Sequence, residues 1–158
     1  MDRIYTKTWA LKKLRTVIDS GIFAVPELQR EFVWNARKAC DLLDSIYWKY
    51  PIGTVLIWKT SRRNESQLRK KLHILPPFNS ANRHIFFLID GQQRLSVLWH
   101  FLRGEAMSVR KADGKQVDFG SVYFNPYSVA GDRLFLYRQR VVGKLADQLV
   151  SVVDLLVV

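Results

Sequence analysis

Apolar residues between Thr8 and Gly21 recur at helical spacing, with Trp9, Leu11, Leu14, Val17 and Ile18 on one face. This predicts a first helix over 9–20, with Thr8 as N-cap and Gly21 as the stop, because glycine most readily takes the left-handed position after a helix. Residues 22–25 read as a short extended piece, ended by Pro26, which pushes its predecessor out of helical space. A second helix is predicted over 36–49, capped by Asn35 and closed by Pro51; Ala36, Ala39, Cys40, Leu42, Leu43, Ile46 and Tyr47 share its apolar face. Residues 53–58 (GTVLIW) and 85–89 (IFFLI) are nearly continuous apolar runs. They read as two buried strands, each covered on both faces. The polar, basic stretch 59–82, with Pro76-Pro77, reads as an exposed connection. A third helix is predicted over 92–103 through Leu95, Leu98, Trp99 and Leu102, ending at Gly104. Short β pieces follow at 107–110, 117–119, 121–125 and 134–140, with a turn at Asp113-Gly114. The pattern predicts a single α/β (α+β) domain over 1–158, a mixed sheet containing 53–58 and 85–89 flanked by helices.

Composition narrows the class. The 158 residues are 48% hydrophobic with 8 Gly and 5 Pro, enough apolar material for one core and unlike collagen or disordered chains. Cys40 is the single cysteine, so no internal disulfide exists, and no Cys/His cluster has zinc spacing. No apolar run approaches the roughly 18 residues of a membrane span. Charges interrupt the N-terminus where a signal peptide needs its apolar centre. The expectation is a soluble protein of a reducing compartment, the cytoplasm. The final eight residues, SVVDLLVV, are apolar to the end. Chain ends are usually polar and frayed, so the expectation is a chain cut from a longer protein, or an end that packs on a partner.

Charge then points to partners. Twenty-five Lys and Arg against 14 Asp and Glu give +11. The excess gathers in Lys59, Arg62, Arg63, Arg69, Lys70 and Lys71, opposed by Glu65, and again in Arg133, Arg138, Arg140 and Lys144. Such a balance favours polyanions, and Arg62, Arg63, Lys70 and Lys71 are candidate contacts to duplex DNA; a solvated basic loop is the plain alternative.

The chemistry concentrates where the second apolar run meets the third helix, at Asp90-Gly91-Gln92-Gln93-Arg94. Gly91 permits a sharp turn and a close ligand approach. The first helical turn leaves its amides unpaired and its dipole favours an anion. Arg94 in that turn can give phosphate a charge-assisted contact. Asp90 can orient an arginine, hold Mg²⁺ through water, or simply cap the helix. A second Gln-Arg pair, Gln29-Arg30, stands on a Pro-started loop beside Phe32 and Trp34, a cation with aromatic planes that suits a nucleotide. The two rings equally well staple that loop to the core. No P-loop, no Ser-His-Asp arrangement and no nuclease-like histidine context occurs; His100 reads as packing and Cys40 as a core thiol.

Three blocks then stand in one order: P-x-x-Q-R-x-F-V-W at 26–34, L-L-D-S-I-x-x-x-Y-P-I-G at 42–53 and I-D-G-Q-Q-R-L-x-x-L at 89–98. In this the chain resembles the N-terminal domain of GmrSD-type restriction systems, the DGQQR family, related to ParB and sulfiredoxin-like folds; Val122-Tyr123-Phe124-Asn125 resembles the family's following strand. The resemblance implies a ParB/sulfiredoxin-like domain that binds and hydrolyses a nucleoside triphosphate (GTP or ATP) with Mg²⁺. It implies a regulatory part in a bacterial anti-phage DNA restriction protein, beside a C-terminal nuclease domain or subunit. Asp90 and Gln93 would then be catalytic, with Asp90 reaching the metal through water. Gln29, Arg30, Gly91, Gln92 and Arg94 would bind the nucleotide, the two arginines converging on its phosphates. This stretch of chain alone is not expected to cleave DNA. A ParB-like DNA-binding module without turnover and a subunit-interaction scaffold remain the alternatives.

Overall fold

A computed structural model gives the fold and describes residues 4, 6–67, 75–104, 108–111, 114–129, 132–145 and 147–155. The elements run α1 (Leu11–Asp19), β1 (Phe23–Ala24), α2 (Ala36–Tyr47), β2 (Leu56–Ser61), β3 (His84–Asp90) and α3 (Gln92–Arg103). Then come β4 (Ser108–Arg110), β5 (Gln116–Asp118), β6 (Val122–Phe124), β7 (Phe135–Tyr137), β8 (Val150–Ser151) and the short α4 (Val152–Leu155). The class is mixed α/β, as the periodicity predicts.

The principal sheet has the order β1-β3-β2, with β1 parallel and β2 antiparallel to β3. The IFFLI run therefore forms the central strand, with Ile85, Phe87 and Leu88 buried. Leu88 joins Leu14 and Ile18 of α1, Ala39 and Leu43 of α2, and Leu95, Leu98 and Phe101 of α3 in one cluster. Each such fully buried large side chain contributes about 1.5–3 kcal/mol over its exposed state. α3 is fixed to α1 by polar contacts as well: Trp99 Nε1 donates to Asp19 at 2.7 Å, and Arg15 Nη1 to the Leu102 carbonyl at 3.1 Å. Later strands form two small antiparallel sheets, β4-β5 and β7-β6-β8. Phe32 packs edge-on against Phe119 at 5.7 Å, which ties the loop before α2 to the turn after β5.

Several expectations are corrected. α1 starts at Leu11 with Ala10 as its cap residue, so Thr8 caps nothing and Trp9 packs on the core from outside the helix. α2 has its predicted cap, Asn35 accepting from the Lys38 amide at 3.0 Å, but ends at Tyr47. Lys49, in the left-handed region at φ 58°, turns the chain before Pro51 is reached. The first apolar run is not a buried strand. Its residues 53–55 are loop, and β2 lies at an edge with Leu56 at 56% and Trp58 at 48% exposure. The reason is local: Gly53 and Thr54 belong to a loop gripped by Arg94, which delays strand pairing until Leu56. The piece predicted at 134–140 pairs only over Phe135–Tyr137. Met107 and Asp113 lie outside the described residues.

Candidate functional site

β3 ends at Asp90 and α3 starts at Gln92, so the whole reversal falls on Gly91, at φ 90°. A Cβ there would lie 2.9 Å from Val55 Cγ2, and the conformation itself is one that only glycine takes cheaply. α3 has no side-chain cap. Asp90 is therefore not the helix cap; its Oδ2 instead accepts from Arg94 Nη2 at 3.0 Å. The amides of the first turn of α3 thus have neither an intrahelical partner nor a capping side chain.

The next three side chains grip two stretches of chain, residues 30–34 and 52–54. Gln92 Nε2 donates to the Arg30 carbonyl at 2.7 Å. Gln93 Nε2 donates to the Glu31 carbonyl at 3.1 Å, while its Oε1 accepts from the amides of Val33 at 2.9 Å and Trp34 at 3.3 Å. Arg94 donates to the Ile52 carbonyl, to the Thr54 carbonyl at 2.8 Å and to Asp90. Gln29 closes the ring from the other loop, its Nε2 donating to the Ile89 carbonyl at 3.0 Å. Gly53, at φ 79°, has no room for a side chain, because a Cβ would strike Arg94 Nη1.

This stitching brings every residue singled out in the two loops, Gln29 and Arg30 with Asp90 through Arg94, onto one pocket of about 110 Å³. Trp34 completes its wall. The two arginines differ sharply. Arg94 is 17% exposed and spends three of its five N–H groups on protein acceptors. Arg30 is exposed, and its guanidinium makes no hydrogen bond or ion pair among the described residues. Gln93, 6% exposed, has both ends of its amide committed to the loop. Gln92 Oε1 is shielded from solvent yet has no donor among the described residues. Asp90 is open, its side chain 72% exposed, and is the one carboxylate on the pocket wall.

A second, open groove of about 430 Å³ adjoins the first and shares Trp34 and Arg94 with it. Lys38, Asp41 and Ser45 of α2 line it opposite Pro51 and Ile52. Sequence reasoning missed this groove. The signal was present in the Y-P-I-G block at 50–53, whose glycine marks where the chain crosses Arg94.

Of the four candidate DNA contacts, two lie among the described residues. Arg62 is held by Glu65 at 2.9 Å on a 3-10 turn, Arg63 beside it is exposed, and Lys70 and Lys71 lie outside the described residues. Burial, reinforced by the carboxylates of Asp44 and Asp41, pushes the Cys40 thiol up to about 12, so it stays protonated as a core group. Among the described residues no cluster of metal-ligating side chains occurs, and no helix is long and apolar enough to cross a membrane.

Comparison with known families adds one match: the model for the GmrSD restriction endonuclease, N-terminal domain, covers residues 11–144. No curated protein sequence matches the chain.

Proposed function

We propose a function from one premise: the chain belongs to the family of GmrSD restriction endonuclease N-terminal domains. On that premise it binds a nucleoside triphosphate by its phosphates in the pocket at the start of α3. There it serves as the nucleotide-dependent regulatory domain of a cytoplasmic anti-phage DNA restriction protein, with duplex DNA and a nuclease domain or subunit as partners. The observation that carries this is the convergence of Gln29, Arg30 and Asp90–Arg94 on a single pocket beside a helix start without a cap. Such a start offers amides and a favourable dipole to an anion, and Arg30 adds an exposed cation whose guanidinium has no partner among the described residues.

The residues present fit a triphosphate, with roles redistributed. Arg30 is the phosphate contact, because its guanidinium has no competing partner. Arg94 lends its remaining N–H groups to the pocket while its main task is to hold residues 52–54 in place. Gln93 positions the loop that carries Arg30, and does so without touching the nucleotide. Asp90 keeps Oδ1 outside its pair with Arg94, so Mg²⁺ would be held by this one carboxylate through water together with the phosphates. When bound, the metal supplies charge neutralisation on the phosphates. For hydrolysis, Asp90 Oδ1 is the acceptor that can orient an attacking water.

Removing a charge-assisted contact costs about 1.5–3 kcal/mol, or tenfold and more in affinity. Arg30→Ala is therefore expected to weaken nucleotide binding at least tenfold by calorimetry, with the melting temperature unchanged. Asp90→Asn should retain binding and lose phosphate release. If folded Arg30→Ala binds every nucleotide of a four-base panel like the parent, the phosphate site lies elsewhere. Binding without phosphate release in the parent would favour the ParB-like module without turnover. For DNA, reversing Arg62, Arg63, Lys70 and Lys71 should weaken duplex binding uniformly and flatten its salt dependence by roughly one unit per lost contact. Unchanged affinity and slope would leave that stretch a solvated loop.

A further inference from the structure

We propose that the groove between α2 and residues 51–52 takes the nucleoside part of the nucleotide, with the base laid against Trp34 and Ile52. This rests on the phosphate reading above and extends it to residues that reading does not use. The phosphate pocket, at about 110 Å³, is too small for a whole nucleotide. The adjoining groove, at about 430 Å³, falls in the range of roughly 300–1,000 Å³ typical of small-molecule sites. Because Trp34 and Arg94 line both, a molecule whose phosphates sit at the start of α3 reaches this groove directly by extending past Trp34.

The lining has the chemistry of a nucleoside site. Trp34, Leu42, Pro51 and Ile52 give an apolar bed, and an aromatic plane stacks on any base. Lys38, Asp41 and Ser45 fall at i, i+3 and i+7 on α2, one stripe facing the groove. Lys38 supplies donors and Asp41 an acceptor. Asp41 is held in place by Arg133, 2.5 Å from Oδ1, which leaves Oδ2 for a base edge or ribose hydroxyl. Ser45 gives its proton to the Asp41 carbonyl at 2.7 Å, so its oxygen remains an acceptor. Arg94 is then the shared wall between the two halves of the ligand: it fixes Ile52 under the base and stands beside the phosphates.

Titration calorimetry of the whole chain with tripolyphosphate and with each of the four common nucleoside triphosphates tests this. The parent should bind tripolyphosphate, and nucleotides at least tenfold more tightly. Ser45→Trp, which fills the groove, should remove that advantage and leave tripolyphosphate affinity within about twofold. Ile52→Ala, which only lowers the bed, should cost the nucleotides several-fold, again with tripolyphosphate unchanged, and it serves where Ser45→Trp does not fold. If both folded variants bind nucleotides like the parent, the groove proposal is overturned while the phosphate reading stands. If the parent binds neither tripolyphosphate nor any nucleotide, the phosphate reading falls and the groove proposal with it.

Discussion

Two parts of the molecule are fastened by the same device built from different chemistry. On α3, the Gln93 Oε1 accepts from two consecutive amides, Val33 and Trp34. On α2, the Asp44 Oδ1 accepts from two consecutive amides, Leu134 and Phe135, each at 3.1 Å, and so docks β7 onto the helix. The first oxygen belongs to a neutral amide that also donates, to Glu31; the second belongs to a carboxylate. The difference follows from the neighbours. A buried carboxylate at position 93 would place negative charge under a pocket lined by Arg30, Arg94 and an uncapped helix start, whereas position 44 has Arg133 nearby to offset its charge. The clamp on α3 is indifferent to pH; the one on α2 is not. For Asp44, burial raises the carboxyl above its ordinary value more than the two amide bonds and Arg133 lower it.

The comparison can be tested from its stronger side first. Gln93→Leu leaves two amides and a carbonyl without partners in a part-buried loop, and each such group costs about 1–3 kcal/mol. A total near 3 kcal/mol should lower the melting temperature by about 10 °C for a chain of this size. A loss of under 2 °C would show that the loop is held by Phe32 packing instead. Arg94→Lys keeps the charge but cannot span Ile52, Thr54 and Asp90 together. It should cost about 1–2 kcal/mol in denaturant unfolding and weaken nucleotide binding less than Arg30→Ala does. Equal binding losses would make Arg94 a direct phosphate contact after all. The smallest effect belongs to Asp44→Asn. A carboxyl whose folded value is raised contributes most below its unfolded value and loses that contribution as pH rises through the folded one. The melting-temperature difference, parent minus variant, should therefore fall as pH climbs through the carboxylate range. A flat difference would mean the two clamps are equivalent.

Much of this site was legible in the sequence, because its elements are local. The glycine of D-G-Q-Q-R marks the reversal, the apolar run before it makes the central strand, and the Gln-Arg pair of the other loop lands on the same pocket. What each side chain does there was not legible. Apart from the Asp90–Arg94 pair, four residues apart, the bonds that commit Gln93 and Arg94 span 40 to 62 residues, and nothing in local spacing reports those. The two arginines look equivalent as letters and differ only in what surrounds them. The misjudged strand at 53–58 has a related cause: an apolar run records a preference for burial, and the loop around Arg94 takes its first residues. Thr8 failed as a cap because Trp9 is drawn to the core ahead of the helix rather than within it. The mixed sheet with helices against it was legible as a class, with 85–89 as its buried strand.

The edge position of β2 has a consequence for how copies of the chain behave together. Among the described residues β2 pairs on one side only, with β3, and shows half-exposed Leu56 and Trp58. An open edge of this kind is a template on which another chain can add itself. Here Lys59 stands in the middle of the strand and Arg62 and Arg63 follow its end, so two copies meeting along this edge carry like charge onto it. This positive charge discourages the protein from stacking on itself. Neutralising those side chains would remove a guard against aggregation.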